Sequence, residues 1–257
     1  MSCKFLVIDA GNTKSKMALC QEGVLTSEVS LADHETTVAE ALRLARQHSA
    51  AGCLLCSVTE GAPDMARLLK QHGLPTAILT IDMRFPFAVD YATPRTLGPD
   101  RLAGAVGAWA SFPHTGALII DAGTAITYDF ITPDAHFQGG AISPGISMRF
   151  RALHAFTAKL PLCKASEWNG NVVGRDTREA IASGVMNGVW AEADFFIAQA
   201  RAKHPDSIVV VTGGDYKNFD LKSKKGIFAS PNLVLQGLAL LAEDNSHEIL
   251  RGQDVDI

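Results

Sequence analysis

No apolar run in this 257-residue chain approaches the length of about 20 that a helix needs to cross a bilayer. The first residues also lack the charged start, apolar stretch and small-residue cleavage site of a secretory signal, and lead straight into a strand pattern. A cytoplasmic chain with no membrane partner is expected. Strong charge is missing too: 23 Lys and Arg stand against 27 Asp and Glu, for a formal net charge of −4. A basic nucleic-acid surface is therefore not expected. Lys222, Lys224 and Lys225 form the one basic cluster and read as a solvated loop. Cys3, Cys20, Cys53, Cys56 and Cys163 are an odd set, and no second pair extends Cys53-x-x-Cys56 into a zinc site. Those two lie in an apolar strand pattern, where residues three apart face opposite ways. Both read as buried structural thiols, which suits a reducing compartment.

What is present is globular. Hydrophobic residues make up 47% and charged residues 19%, enough for one large domain or two ordinary ones with their own cores. A short internal repeat divides the chain. Phe5-Leu-Val-Ile-Asp9-Ala-Gly-Asn-Thr13 is echoed by Ala117-Leu-Ile-Ile-Asp121-Ala-Gly-Thr124-Ala125. Each is an apolar strand, an Asp, a glycine turn and a second apolar stretch, which predicts a β-hairpin at the head of each half. In the first half, strands are predicted over 24–30, 52–58 and 77–81, helices over 36–48 and 63–72, and irregular loop with strand fragments over 82–98. A Gly- and Ala-rich helix over 100–111 suggests close packing between the halves, and Phe112 to Gly116 is the predicted boundary. The second half repeats the scheme. Strands are predicted near 117–121, 125–131, 136–142 and 207–212, with a helix after Pro144, a long helix over 177–203 and a last one over 233–243. The expected fold is α/β, with mixed sheets flanked by helices in halves 1–112 and 113–257.

The turns carry the chemistry. A glycine turn lets backbone N–H groups approach phosphate oxygens, and Asn12, Thr13 and Thr124 add polar donors. Asp9, at a strand end, suits Mg²⁺ held through water, and Lys16 can supply a point charge to a phosphate. Two such turns in equivalent places would hold the phosphates of ATP between them across a cleft. Thr212-Gly213-Gly214-Asp215 follows a strand and suits backbone approach to adenine and ribose. For the accepting alcohol, Gly98-Pro99-Asp100-Arg101 places a carboxylate beside a guanidinium at a helix start. Asp100 suits proton removal from a hydroxyl, and Arg101 suits an anion.

This set, with Gly139-Gly-Ala-Ile-Ser-Pro-Gly145 and Asp176-Thr177-Arg-Glu-Ala-Ile-Ala-Ser-Gly184, resembles type III pantothenate kinase from residue 5 to about 240. The resemblance implies a duplicated ribonuclease-H-like, actin-like ATPase fold. It also implies ATP-dependent phosphorylation of pantothenate at its 4′-hydroxyl, the entry step of coenzyme A synthesis. A homodimer holding pantothenate near the subunit interface follows, as does a need for Mg²⁺ or a similar divalent ion and for K⁺ or NH₄⁺. By the same resemblance Asp100 is the proton acceptor, and Tyr91, Gly98, Pro99, Asp100, Arg101 and Thr177 form the pantothenate pocket. Asp9, Ala10, Gly11, Asn12, Thr13, Lys14, Ser15, Lys16 and Thr124 map to ATP, and Asp121 to the monovalent cation. Pro at 99 and Asp at 215 depart from the family pattern. Trp109, Phe150, Phe156, Trp190, Phe195 and Phe196 are candidates for core or for the dimer interface. Two other functions share these expectations: a non-catalytic accessory or regulatory binding protein on the same fold, and a kinase or phosphatase for another small alcohol.

Overall fold

The structure, a computed structural model, describes residues 3–12, 14–219 and 226–251. Thr13 and the Lys222, Lys224 and Lys225 cluster lie outside the described residues. Two compact units are present. The first spans 1–114 and takes in 135–137 and the segment from Asn232 onward; the second spans 115–134 and 138–231.

In the first unit, β1 (Lys4–Ala10) and β2 (Ser15–Gln21) form an antiparallel hairpin, and β5 (Gly52–Ser57) runs parallel to β1. β6 (Thr76–Ile78) pairs in parallel with β5. The short β3 (Val24–Leu25) and β4 (Ser30–Ala32) both pair antiparallel with β2. One continuous strand over 24–30 was expected, and the structure has two pieces. The ladder breaks because the Ser27 hydroxyl takes the Leu19 N–H at 2.9 Å. Leu6, Val7 and Ile8 have no exposed surface, because this sheet is covered on both faces. The helices α1 (Thr37–His48) and α2 (Ala62–Gln71) cover one face, burying Ala41, Leu42 and Leu69 against Leu6, Ile8 and Leu55. The other is met by α6 (Leu233–Asp244), which packs on β1 and on α3 (Pro99–Ser111).

The α3–α6 crossing explains the glycines. A Cβ on Gly107 would lie 2.5 Å from the Leu233 carbonyl oxygen, and one on Gly237 would run into that of Ala103. The helix backbones touch, so neither position admits a side chain. The close packing expected of α3 is thus made against the helix that closes the second half of the sequence, and contacts group both in the first unit. The loop over 82–98 contains a two-residue strand, β7 (Ala88–Val89), paired in parallel with His136 and Phe137. The short α7 (Ser246–Arg251) had no periodic signal in the sequence.

The second unit repeats the plan. β8 (Ala117–Ala122) and β9 (Ala125–Ile131) form the hairpin, β11 (Ile208–Thr212) runs parallel to β8, and β12 (Ile227–Ala229) runs parallel to β11. β10 (His136–Pro144) lies on the far side of β9. Strand β12 was not expected, because three residues are too few to show a period. Its core joins Leu118, Ile120, Ile126 and Val211 to α4 (Ile146–Ala155) and α5 (Thr177–Lys203) through Phe150, Val185 and Val189. The order β3-β2-β1-β5-β6 in one unit matches β10-β9-β8-β11-β12 in the other. The repeat read from two short motifs therefore extends to the whole sheet.

Candidate active site

The first turn joins β1 to β2. Directly across the hairpin from Asp9 stands Lys16, and across the parallel ladder stands Cys56. Paired residues share a sheet face, so carboxylate, ammonium and thiol lie side by side where β1 ends. Asn12 and Lys14 are exposed at the tip, and Ala10 is buried beneath it. Ser15 is fully buried, and its hydroxyl accepts from Thr37 Oγ1 at 2.9 Å. Its side chain ties β2 to α1, so what it offers at the turn is backbone.

Asp100 enters from α3. Pro99 opens that helix, where its fixed φ is already helical and its missing N–H has no partner to lose. Proline here stiffens the start and leaves the acid and the guanidinium in place. Asp100 Oδ1 accepts the Arg101 N–H at 2.9 Å and folds back over Gly98, where a Cβ would lie 2.5 Å from that oxygen. A side chain at 98 would push the carboxylate end of Asp100 out of this position. Burial raises the Asp100 pKa above the ordinary range, against the lowering effect of the Arg101 N–H and charge. Arg101 is buried, with its guanidinium 5.9 Å from the Tyr91 ring centroid.

The same unit joins these two groups through Cys56. Its thiol pKa is pushed up by burial first, then by the charges of Asp9 and Asp100. Asp9 is the ladder partner of Cys56, and α3, which carries Asp100, packs on the same strand β5. Cys53, three residues earlier, packs in the α1–α2 core and is influenced by Cys20 instead, as the opposite-face argument expects. Cys56 was read only as core. The signal that finds it is the ladder register with Asp9, which depends on pairing and not on local sequence.

In the second unit, Asp121 stands across from Thr127 on β9 and Thr212 on β11, the same arrangement as Asp9 with Lys16 and Cys56. Gly213 follows with φ +90°, and a Cβ there would lie 2.5 Å from Asp121 Oδ1. The Asp215 N–H donates to the Ala122 carbonyl at 2.9 Å, fastening the Gly213–Gly214 turn to the Asp121 turn. Burial raises the Asp215 pKa. Thr124 is exposed at the tip of its turn. Thr177 is exposed at the first position of α5, just after Asp176, whose side chain caps the helix by accepting the Glu179 N–H at 2.9 Å. Of the aromatic candidates, Trp109 and Phe150 are buried, and Phe196 stacks on Tyr128 at 4.2 Å. Trp190 is partly buried against Trp168, whereas Phe156 and Phe195 are exposed.

Residues 5–199 match the sequence model of a family described as type III pantothenate kinase. A protein of that name from Bacteroides fragilis is 38% identical over 246 residues, covering 95% of this chain and 99% of its own. Among solved structures, one described as a Baf family transcriptional activator from Campylobacter jejuni has a TM-score of 0.65 at 18% identity, covering 94% of this chain and 99% of its own. The ROK hexokinase from Thermus thermophilus has a TM-score of 0.53 at 13% identity, covering 95% and 99%. The likeness to both is one of fold, the two-sheet plan shared with actin-like sugar kinases.

Proposed function

This chain belongs to the type III pantothenate kinase family, and from that premise we propose that it transfers the γ-phosphoryl group of ATP to the 4′-hydroxyl of pantothenate. The observation that carries the catalytic part is that Asp9 pairs with Cys56 across the ladder while α3, with Asp100 in its first turn, packs on the same strand β5, all in a single unit. Asp100 takes the hydroxyl proton. The freed oxygen forms a bond to the γ-phosphorus as the bridging bond to the β-phosphate breaks, and ADP leaves with that electron pair. Arg101, over Tyr91, presents a fork suited to the pantothenate carboxylate, with Gly98 and Pro99 shaping the loop; Thr177 is kept as a pantothenate residue on the family resemblance. Asp9, Ala10, Gly11, Asn12, Thr13, Lys14, Ser15, Lys16 and Thr124 serve ATP in this reading.

The residues fit the two ions the family implies. Asp9, a single carboxylate at the end of β1, suits Mg²⁺ held through waters and phosphate oxygens. Asp121 Oδ1 lies in the cradle that a Cβ on Gly213 would fill, which suits a larger ion such as K⁺ or NH₄⁺. When bound, these cations supply charge that offsets phosphate repulsion.

The test is ADP release from ATP across a panel of small alcohols, with K⁺, NH₄⁺ or Na⁺ present. Release dependent on pantothenate and Mg²⁺, and faster with K⁺ or NH₄⁺, is expected. A folded protein that turns over only another alcohol, or none, sinks the reading. The acidic limb of kcat/KM for pantothenate is expected above the usual aspartate range. Burial raises the Asp100 pKa, and activity is lost as pH falls through it.

A homodimer belongs to the same proposal. Phe156 is 88% exposed and Val172 and Val173 are 76% and 73% exposed, all in the second unit. Phe156→Asp is expected to weaken the dimer by about 2 kcal/mol or more, as for other buried interface aromatics. Light scattering reads this as a shift toward monomer, and an unchanged mass removes Phe156 from the interface. A cytoplasmic location is part of the proposal too. No helix of the described residues is long and apolar enough to cross a membrane.

A further inference from the structure

We propose that Arg149 and Glu192 are positioning residues for the second phosphate turn, acting through the corner at Ser143, Pro144 and Gly145. The inference rests on reading Asp121 to Ala125 as a turn that contacts ATP. All the residues involved lie in the second unit.

Gly145 sits directly on the turn. Its N–H donates to the Thr124 carbonyl at 3.1 Å, and a Cβ there would collide with the carbonyl oxygens of Gly123 and Thr124. The turn is also held by the Gly123 N–H to the Ala125 carbonyl at 3.0 Å, and its Ala122 carbonyl takes the Asp215 N–H at 2.9 Å, but the bond from Gly145 is the one that reaches Thr124 from the end of β10. Whatever holds the end of β10 therefore bears on the position of Thr124.

Arg149 holds that end. It lies in the first turn of α4 and reaches back with its guanidinium. Nε donates to the Pro144 carbonyl at 2.8 Å, and Nη2 donates to Ser143 Oγ at 2.6 Å. The same Nη2 is 2.6 Å from Glu192 Oε2, and Ser143 Oγ donates to that oxygen at 3.0 Å. Glu192 stands in the middle of α5, a 27-residue helix packed on the second core. A chain of contacts thus runs from a long helix through one guanidinium to the corner that meets the phosphate turn. A lysine could not make it, since one ammonium lacks the fork that spans a carbonyl, a hydroxyl and a carboxylate.

Glu192 has a second buried neighbour. Its other oxygen, Oε1, and the Tyr128 hydroxyl are both buried and find no other hydrogen-bond partner, so they face one another. Burial first, then the Glu192 charge, raises the Tyr128 pKa. Burial alone would raise the Glu192 pKa, yet the hydrogen bonds from Arg149, Ser143 and Tyr128 and then the Arg149 charge hold it below its ordinary value. Glu192 therefore stays ionised and keeps its grip on Arg149 and Ser143.

The test measures equilibrium binding of a fluorescent ATP analogue with Mg²⁺, and KM for ATP and for pantothenate, in Arg149→Ala, Arg149→Lys, Glu192→Gln and the Arg149→Ala/Glu192→Gln double variant. Nucleotide affinity is expected to fall about tenfold in Arg149→Ala, the scale lost when a residue that orients a ligand-contacting element is removed. Arg149→Lys is expected not to restore it, KM for pantothenate is expected to hold, and the double variant is expected to be no worse than Arg149→Ala. Unchanged nucleotide affinity overturns the proposal. So do equal losses for both substrates that track a lowered melting temperature, which would mark the pair as purely structural. If Arg149→Ala does not fold, Arg149→Lys and Glu192→Gln decide by the same criteria. A wild-type protein that binds nucleotide without phosphorylating pantothenate removes the pantothenate kinase reading and leaves this one standing. A wild-type protein that binds no nucleotide overturns both.

Discussion

Asp100→Asn is expected to lower kcat for pantothenate phosphorylation by about 10²–10⁴-fold, the usual cost of losing a general base. The substitution is nearly isosteric. The amide oxygen can still accept the Arg101 N–H that Asp100 Oδ1 takes at 2.9 Å, so α3 starts in the same place and Arg101 keeps its position over Tyr91. KM for pantothenate should therefore hold while kcat falls, and the acidic limb of the pH profile should vanish with the titrating group. Stability should move the other way. The folded Asp100 pKa is raised by burial, so the folded state binds this proton more tightly than the unfolded one. Ionised Asp100 therefore costs stability, increasingly as pH rises from the unfolded pKa to the folded one. At neutral pH the Asn variant should melt at the same temperature or higher. Loss of activity without loss of stability is what a functional group in an unfavourable setting shows. A near-normal rate would remove Asp100 from the role of base.

Gly213→Ala is expected to combine a large loss of activity with a loss of stability. At φ +90° a side chain is strained, and its Cβ would press on the Ala122 carbonyl and lie 2.5 Å from Asp121 Oδ1. Overpacking of this kind costs about 1–3 kcal/mol. Relief requires Asp121 or the turn to move, and displacement of a positioning element by about 1 Å is commonly worth about 10²-fold in rate. Gly214→Ala is the control for stability, because an added Cβ there meets nothing within 4 Å. Thermal unfolding and steady-state kinetics on the two variants separate the clash from a general effect of altering this turn. Equal melting temperatures for both would mean that the Asp121 cradle yields at no cost.

The elements most visible in the sequence were those whose cause is local. The hairpins at Asp9 and Asp121 showed as apolar runs broken by Asp-Ala-Gly, and α2 showed as Pro63 near its start and Gly73 beyond its end. The strand expected over 24–30 broke because the Ser27 hydroxyl intercepts a ladder N–H from Leu19, an event between strands that no window of sequence contains. The strand β12 and the helix α7 are too short for a period to register. Cys56 looked like ordinary core from its neighbours alone, and only the register of β5 against β1 sets it beside Asp9.

The Asp-Ala-Gly turns and the Gly98 to Arg101 loop were legible because glycine, carboxylate and guanidinium at those spacings are local chemistry. With the family motifs they sufficed to name the reaction. Tertiary structure alone decided what surrounds them. It set Asp9 beside Cys56 in the ladder, raised the Asp100 pKa by burial, seated Asp121 against Gly213, and joined Glu192 on α5 through Arg149 on α4 to the corner that meets the second turn. Each of these depends on residues far apart in the chain meeting at hydrogen-bond or van der Waals distance. Linear spacing does not encode such meetings, because packing and strand register determine which distant groups touch.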